Sequence, residues 1–489
     1  MRDAPPLLAA LLLSSLGTMR AADAPGASRI ERQPGVTLES RGLPLILFND
    51  DGGDLTAPAY GGRAMWVPAG QGPSVQPVRT VADCLGYRIG PLTDTTAKGL
   101  SYCGNFGSPV WDLPPDRLAA LGSDPLLPII QFWRRDGRTF FFSMRMNDYH
   151  HGWSNDACFW DRFRLSHRHW FLKPPSDNDW QTGFLPWIEH RGPQPKFNPE
   201  SLAYDYAIPE VRAHFLDQLR EACRRYDLDG AELDWLRYPT LFRDGEGNAA
   251  ALTAFVGDAR AILDDAAKRW GHPLRLVSRV PDSPDKARAV GLDVEAWLGA
   301  GWLDAVIAGH GGTFSANELE QWVALAHRHQ VPVYGVLDRM NFRGKAFARY
   351  GRPETLRAAV ATLWQKGADG LYFFNYFLPG EYPLIREFAE RAQLARLPKE
   401  YFLDANHGNA FNGTVSNGPL PLGIKADSTA AISLLLADDP ARAKEIRLEL
   451  VWQEDSDLFQ RYLWGPPRVS ARRGPVRPSW PVPMSSPAA

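Results

Sequence analysis

The feature that most constrains the fold of this chain is a repeated alternation of short apolar runs with amphipathic helices between residues 43 and 393. Apolar runs that begin at residues 43, 139, 228, 274, 302, 331 and 370 predict seven strands, and a weaker run at residues 81–85 supplies an eighth. Apolar residues recur at helical spacing in residues 209–226 and 249–270, which predicts helices between strands. Strands that alternate with helices form right-handed βαβ units and a parallel sheet. We therefore expect an α/β fold, a (β/α)8 TIM barrel.

An open, doubly wound sheet is the alternative α/β arrangement. Such a sheet usually carries a glycine-rich, phosphate-binding turn after its first strand. The first predicted strand of this chain instead ends in Asp50-Asp51-Gly52-Gly53, and these two carboxylates would repel a phosphate group. The acidic turn therefore favours the closed barrel.

The segments outside residues 43–393 predict three further regions. Residues 1–24 combine Arg2, an apolar run and small residues up to Ala24, which is typical of an export signal, so we expect a secreted or periplasmic protein. Residues 398–465 contain Asn412-Gly413 and Asn417-Gly418 turns between alternating apolar runs, which predicts a small C-terminal β domain. Residues 466–489 are rich in Pro, Ser and Arg, which predicts a disordered tail.

Composition narrows the possible partners. The 54 basic and 56 acidic residues nearly cancel, which argues against a nucleic acid or an anionic membrane as partner. No segment beyond the export signal is long and apolar enough to predict an integral membrane span. The 17 Trp residues favour a carbohydrate ligand, because sugar-binding clefts use flat apolar rings.

The four cysteines, at positions 84, 103, 158 and 223, are compatible with disulfides in an oxidising compartment, and their pairing stays open. Cys223 falls on the apolar face of a predicted helix, so we expect it to be a buried free thiol. No Cys or His spacing predicts a structural metal site, and we expect neither a metal nor a cofactor.

Candidate catalytic carboxylates lie at the ends of predicted strands, because the active site of a (β/α)8 barrel lies at the carboxyl ends of its strands. In the sequence Asp-Gly-Ala-Glu-Leu-Asp-Trp at residues 229–235, period-two alternation points Glu232 and Asp234 into the barrel, with Asp234 nearer the mouth. Asp338, at the end of the seventh strand, is the best partner for Asp234, and all three carboxylates are expected to converge on one open cleft. Further candidates are Asp148, Asp50 and Asp51.

Each of these carboxylates also has a structural interpretation. Two carboxylates inside a barrel are costly unless cations or hydrogen-bond donors compensate them. Glu232 could therefore be a structural acceptor, and Arg145 on the third strand could be its counter-ion. An Asp at a strand end is often a turn former or a helix cap. Both interpretations stay open for Glu232, whereas catalysis is favoured for Asp234.

Other polar and aromatic residues near the predicted strand ends are suited to binding sugar hydroxyls. The adjacent His150 and His151 cannot easily ligate one metal ion from an extended segment, so a hydrogen-bonding role is expected for them. The predicted substrate-binding residues are Asn49, Asp51, Arg145, Asn147, Asp148, His150, Trp235, Arg237, His310, Asn375 and Tyr376.

Five motifs follow one another in a fixed order along the predicted barrel. They are Phe48-Asn-Asp-Asp-Gly52, Arg145-Met-Asn-Asp148, Tyr206-Ala-Ile-Pro-Glu-Val-Arg212, Asp229-Gly-Ala-Glu-Leu-Asp-Trp235 and Gly291-Leu-Asp-Val-Glu-Ala-Trp297. Together these motifs resemble the glycosyl hydrolase-like family ten group, which consists of secreted bacterial barrel proteins that often carry a small C-terminal β domain. The resemblance implies a TIM-barrel, glycosidase-like enzyme and names no sugar.

The sequence thus leaves three functions to compare. The favoured one is a glycoside hydrolase that acts on a polysaccharide or oligosaccharide through a carboxylate pair at the barrel mouth, since such pairs lie about 5–9.5 Å apart across the scissile bond. The alternatives are a non-catalytic carbohydrate-binding barrel and a sugar lyase with a histidine base. A single carboxylate at the mouth would favour either alternative.

Overall fold

A computed structural model describes the chain in twelve stretches: residues 36–56, 80–105, 109–113, 115–152, 160, 162–190, 192–236, 238–243, 248–310, 318–339, 352–401 and 435–438. Within them, eight parallel strands close into one barrel in the order of the sequence, each strand bonded to the next and the last to the first. The expected (β/α)8 barrel is confirmed. Its strands are β1 (Ile46–Asp50), β2 (Gly99–Cys103), β3 (Thr139–Arg145), β4 (Gly230–Asp234), β5 (Arg275–Val280), β6 (Ala305–Ala308), β7 (Val333–Asp338) and β8 (Gly370–Phe374).

One predicted strand is wrong. Residues 81–85 do not form a strand, because Val81–Cys84 is a helix that continues into a π-helical turn, Leu85–Ile89. The Thr80 hydroxyl accepts a hydrogen bond from the Asp83 backbone amide, and the Asp83 carboxylate accepts one from the amide of Thr80. This reciprocal cap satisfies two amides that a helix start would otherwise leave unpaired, and it therefore favours a helix at this point. The second strand is Gly99–Cys103 instead.

Helices connect the strands, and the two longest match the prediction. Pro209–Arg225 begins at a proline, whose missing amide costs nothing in the first helical turn. Ala249–Trp270 begins after Asn248, whose side chain accepts from the Ala251 amide, and ends at Gly271 with φ 80°. A positive φ of this kind is the usual reason for glycine after a helix.

The remaining helices are shorter. The α-helices are Gly53–Thr56, Gly90–Thr93, Pro115–Leu121, Leu126–Arg134, Arg162–Ser166, Asp177–Asp179, Leu185–His190, Pro284–Ala289, Val294–Gly299, Leu319–Arg328, Pro353–Gln365, Leu384–Ala389 and Arg391–Leu394. Short 3-10 turns span Glu39–Arg41, His150–Gly152, Arg168–Trp170, Pro199–Leu202 and Pro379–Glu381, and a second π-helical turn spans Trp180–Phe184.

Side chains alternate between the barrel interior and the layer beneath the helices, as the period of a strand requires. On β4, Ala231 and Leu233 belong to the large apolar core outside the barrel. Gly230 faces inward at a point where a Cβ would lie 2.3 Å from the carbonyl oxygen of Arg275 and 2.6 Å from the Phe141 ring. Only glycine therefore fits at the start of this strand. The apolar residues of the interior are Leu47, Phe141, Val277, Ala305, Ile307, Tyr334, Val336, Tyr372 and Phe374.

Three predicted regions lie wholly or mostly outside the described residues. The export signal at residues 1–24 and the tail at residues 466–489 are outside them, and of the predicted β domain only residues 398–401 and 435–438 are described. In the described part of the chain, no helix combines the length and the apolarity that crossing a membrane requires.

Cys103 and Cys223 are buried free thiols, which confirms the prediction for Cys223, and Cys84 is buried as well. Cys158 is outside the described residues.

Candidate functional site

Glu232 lies deep inside the barrel and is completely buried. Its carboxylate accepts hydrogen bonds from the hydroxyls of Ser101 on β2 and Tyr372 on β8, the latter at 2.6 Å, and from the Asn49 amide on β1 at 3.4 Å. Donors from three other strands can meet at Glu232 only if its side chain points inward. The inward orientation that period-two alternation predicts for Glu232 is therefore confirmed.

The charge state of Glu232 follows from this setting. Burial raises the pKa of Glu232 to about 7, and the neighbouring Asp234 carboxylate raises it too, while the donors Ser101 and Tyr372 and the cation Arg279 oppose the rise. Desolvation is thus the dominant cause, because the interior offers a charged carboxylate less stabilisation than water does. Near neutral pH, Glu232 exchanges a proton that an exposed glutamate would already have lost.

Asp234 is the last residue of β4 and lies two residues closer to the barrel mouth than Glu232. Its Oδ1 accepts from the Leu236 backbone amide at 3.0 Å, and its Oδ2 lies 3.5 Å from Nη1 of Arg279 on β5. Arg279 is fully buried, and its guanidinium carbon lies 3.8 Å from the centroid of the Phe374 ring. Asp234 thus has a buried cation as its neighbour on the adjacent strand.

Arg279 also interacts with the other interior carboxylates. Burial acts to lower the pKa of Arg279, but the charges of Asp234, and after it Tyr372, Asp338 and Glu232, raise that pKa above its ordinary value. The guanidinium therefore stays charged and brings Asp234, Glu232 and Asp338 into one electrostatic group. Asp338 itself accepts a hydrogen bond from the Asn375 side-chain amide at 3.2 Å.

The prediction that these carboxylates face an open cleft is wrong. Asp234 is 1% exposed and Asp338 is 2% exposed. The physical reason is the size of the neighbouring side chains, because the Arg279 guanidinium lies 3.8 Å from the centroid of the Phe374 ring and both side chains are buried at the strand ends. All three carboxylates act on the same guanidinium, that of Arg279, and their convergence on one ligand stays a prediction.

A second charged group lies over the ends of β1 and β3. Arg145 donates to Oδ2 of Asp148 at 2.9 Å and lies 3.9 Å from Oδ2 of Asp51. Nδ1 of His150 lies 2.5 Å from the other carboxylate oxygen of Asp148, and the His150 side chain is 11% exposed. The carboxylate of Asp148 therefore fixes the orientation of the imidazole ring.

The ion pairs described for Arg145 are with Asp148 and Asp51, and the cation that acts on Glu232 is Arg279. The proposed counter-ion role of Arg145 for Glu232 is therefore wrong. Burial acts to lower the pKa of Arg145, but Cys103, Asp148 and Asp51 raise it above its ordinary value.

Two predicted aromatic contacts with substrate are wrong. Trp235 follows Asp234 directly and therefore points to the opposite face of the strand, where it is fully buried, packs on Phe255 and Trp297 and donates its indole N–H to Ser278. Tyr376 is also fully buried, in an aromatic cluster outside the barrel interior with Phe48, Phe373 and Tyr382.

Several other predicted binding residues have structural partners. The Asn147 side-chain amide donates to the backbone carbonyls of Tyr204 and Thr240 and accepts from the Tyr204 amide, so it joins two loops rather than facing the interior. Asp51 forms an ion pair with Arg88 at 3.3 Å.

Two predicted residues beside β6 and β8 remain at the mouth, and a third cannot be placed. His310 is half-buried, and its carbonyl oxygen lies 3.5 Å from Nη2 of Arg279. Asn375 has a positive φ of 52°, and its side-chain amide donates to Asp338. Arg237 is outside the described residues.

The residues that sequence reasoning missed are Arg279, Ser101 and Tyr372. Each lies on an inward position of its strand, so extending the period-two rule from β4 to β5, β2 and β8 could have identified them. Among the described residues, no group of three or more His, Cys, Asp or Glu side chains is placed to hold a metal ion.

Comparisons with known proteins give structural neighbours only. No protein-family model matches the chain, and no curated protein sequence matches it either. The fold is similar to α-L-fucosidase isoenzyme 2 from Paenibacillus thiaminolyticus, with 12% identity, 72% of this chain and 49% of that chain covered, and a TM-score of 0.43. This chain therefore spans about half the length of that fucosidase.

Two further neighbours are the PgaB (BpsB) glycoside hydrolase domain from Bordetella bronchiseptica and the α-amylase from Geobacillus thermoleovorans. The first has 11% identity, 71% of this chain and 98% of that chain covered, and a TM-score of 0.44. The second has 11% identity, 72% and 78% coverage, and a TM-score of 0.39. The structural neighbours are thus glycoside hydrolases of low identity, and the family suggested by the motifs stays a prediction.

Proposed function

We propose that this protein is a glycoside hydrolase that cleaves O-glycosyl bonds in a polysaccharide or oligosaccharide. The observation that carries the proposal is the inward-facing group of Asp234, Arg279 and Asp338 at the carboxyl ends of three strands of a closed barrel. Active sites of such barrels lie at this end. Most glycoside hydrolases use two carboxyl groups, one acting as acid and the other as base or nucleophile.

The surroundings of each carboxylate suggest its part in the reaction. The guanidinium of Arg279 stabilises a negative charge on Asp234, which suits a base or nucleophile. Asp338, which accepts a hydrogen bond from the side-chain amide of Asn375, is then assigned the role of the acid. Glu232 is completely buried beneath both and held by hydroxyls, which favours a positioning role.

The proposal is tested by screening a broad panel of polysaccharides for released reducing ends with the wild-type protein and three variants. Asp234→Asn and Asp338→Asn should each retain the wild-type thermal transition and lose on the order of a hundredfold or more in kcat/KM. Asp285→Asn is the matched control, because Asp285 is an exposed residue of a short helix away from the interior. Full activity in Asp234→Asn would refute the proposed role.

Access to Asp234 needs its own test, because this residue is 1% exposed. Labelling the native protein with a water-soluble carbodiimide and an amine, followed by peptide mass spectrometry, measures whether solutes reach the carboxylate. We expect slow labelling of Asp234 that a bound oligosaccharide suppresses, beside rapid labelling of Asp285. An Asp234 that is never labelled until the protein unfolds would rule out catalysis by this residue.

A sugar lyase with a histidine base is the second candidate, and the Asp148–His150 contact favours it. A carboxylate that holds Nδ1, here at 2.5 Å, makes Nε2 the nitrogen that takes up a proton, as in other base-catalysed sites. A lyase would yield products with ultraviolet absorbance from a new double bond, and His150→Gln would abolish their formation while Asp234→Asn would not. Binding of a polysaccharide without any product would instead favour a non-catalytic barrel.

A further inference from the structure

The connection between β3 and the helix Pro209–Arg225 contains several aromatic rings that pack on one another. The Trp180 and Phe184 rings stack with their centroids 5.8 Å apart, and Phe197 packs on Phe184 at 4.9 Å and on Trp187 at 5.9 Å. Aromatic pairs at such distances stabilise beyond their buried area alone. This part of the connection is therefore a packed unit, although it lies outside the strands of the barrel.

A cavity of about 310 Å³ opens on this unit. Its volume falls at the lower end of the range of about 300–1,000 Å³ that small-molecule sites occupy. None of its lining residues belongs to the carboxylate group inside the barrel. The lining residues are Lys173, Pro175, Asp179, Thr182, Gly183, Phe184, Pro195, Lys196, Phe197 and Ser201.

Backbone hydrogen bonds hold two walls of this cavity together. The Lys173 amide donates to the Ser201 carbonyl at 2.9 Å, and the Leu172 amide donates to the Ala203 carbonyl at 2.8 Å. Phe171 and Tyr204 form an antiparallel bridge beside them. Because the walls are fixed by the backbone, the cavity exists before a ligand binds, which reduces the entropic cost of binding.

The lining combines positive charge with an aromatic surface. Lys173 and Lys196 are exposed, and neither has an ion-pair partner within the part of the chain that the structure describes. The carboxylate of Asp179 accepts from the hydroxyl of its helix-capping residue, Ser176, at 2.7 Å. Phe197 is half-buried and held in place by the packed aromatic rings.

We propose that this cavity is a second carbohydrate-binding site, which takes one acidic sugar unit, a uronate or a sulfated sugar, of a polysaccharide. The two lysines bind the acidic group through charge-assisted hydrogen bonds. Phe197 stacks on the apolar face of the sugar ring, and Thr182 and Ser201 bind hydroxyls. The site requires no chemistry in the barrel, so it stands or falls independently of the proposed hydrolysis.

Affinity electrophoresis of the full chain tests the site, with Asp234→Asn as background so that no polymer is cut. Gels contain dextran sulfate, polygalacturonate, neutral dextran or polyacrylate. We expect retardation by at least one of the two acidic polysaccharides and none by neutral dextran. The double variant Lys173→Ala/Lys196→Ala should weaken the apparent Kd about tenfold or more, and Phe197→Ala should weaken it as well.

The matched control is Lys98→Ala/Lys268→Ala, which removes two exposed lysines that do not line the cavity. This control should bind as the parent protein does. Retardation by dextran sulfate alone assigns the site to sulfated sugars, and by polygalacturonate alone to uronates. The proposal is overturned if neither polymer retards the protein, if the control loses binding equally, or if polyacrylate binds as tightly and through the same lysines.

Discussion

The proton held by Glu232 leads to a measurable dependence of stability on pH. Burial raises the pKa of Glu232 to about 7 in the folded protein, from an ordinary value of 4.5. At ~1.36 kcal/mol per pKa unit, this difference corresponds to about 3 kcal/mol of folding free energy. We expect the substitution Glu232→Gln, which replaces the carboxyl group by an uncharged amide of the same shape, to remove that dependence.

The direction of this pH dependence follows from whether the folded or the unfolded chain holds the Glu232 proton. Below about pH 4.5 the Glu232 carboxyl is protonated in both the folded and the unfolded chain, so it contributes no pH dependence. Between about pH 4.5 and 7 the unfolded chain has lost the proton and the folded protein retains it, so stability falls as pH rises. Above about pH 7 both states are ionised, and the full cost of about 3 kcal/mol persists.

Urea denaturation followed by Trp fluorescence, repeated between about pH 4.5 and 8, measures the effect as a difference between two proteins. The free energy of unfolding of Glu232→Gln minus that of the wild type should rise by about 3 kcal/mol over this range. The contacts of the amide with Ser101, Tyr372 and Asn49 add an offset that does not depend on pH. Contributions from titrating groups that do not interact with Glu232 cancel in the difference.

Glu221→Gln is the matched control. Hydrogen bonds from Arg224 lower the pKa of Glu221 to about 2, so its contribution is lost only as pH falls below its ordinary value. Above about pH 5.5 the free energy of unfolding of Glu221→Gln should therefore change with pH as that of the wild type does. If the Glu232→Gln difference is equally flat, Glu232 is not held as a proton-binding group in the barrel interior and the reasoning fails.

Three other perturbations test the surroundings of this carboxylate. Arg279→Met should lower the free energy of unfolding by about 3–5 kcal/mol, because it leaves the buried Asp234 without its cation, and adding Asp234→Asn should recover much of the loss in urea denaturation. Gly230→Ala should cost about 1–3 kcal/mol or more in thermal denaturation, because its Cβ would lie 2.3 Å from the Arg275 carbonyl oxygen. A thiol reagent at about pH 8 should label Cys103 only after unfolding, because burial raises the pKa of that thiol to about 12; rapid labelling of the native protein, found by peptide mass spectrometry, would contradict this.

The barrel could be predicted from the sequence because most of its strands are continuous apolar runs between amphipathic helices. β2 could not, because its sequence Gly-Leu-Ser-Tyr-Cys has two small or polar residues on the inward positions Gly99 and Ser101 and therefore no apolar run. The run at residues 81–85 is the more apolar one, although Thr80 before it and Asp83 within it form a pair that is typical of a helix start. Local capping chemistry thus outweighed hydrophobicity at this point.

The candidate site could be predicted only where the parity rule was applied. It correctly placed Glu232 and Asp234 inside the barrel, and their charges act on Arg279 together with that of Asp338. Trp235 was assigned by its nearness to Asp234 in the sequence, although neighbouring residues of a strand face opposite sides. Arg279, the cation beside Asp234, could not be predicted from residue type alone, because an arginine in a strand is usually expected to face solvent. Only its position in the period-two alternation of β5 indicates that it points inward.

The charges inside the barrel explain why a proton stays there. Three ionised carboxylates facing the guanidinium of Arg279 would leave an excess of negative charge in a region that is almost completely buried. A proton on Glu232 reduces that excess, because Glu232 lies deepest of the three and accepts hydrogen bonds from neutral donors. Asp234 can then keep its charge beside Arg279 at the mouth. If hydrolysis depends on the charge of Asp234, Glu232→Gln should leave the loss of activity at alkaline pH where it is in the wild type. Arg279→Lys, which keeps the positive charge, should retain more of the wild-type kcat than Arg279→Met.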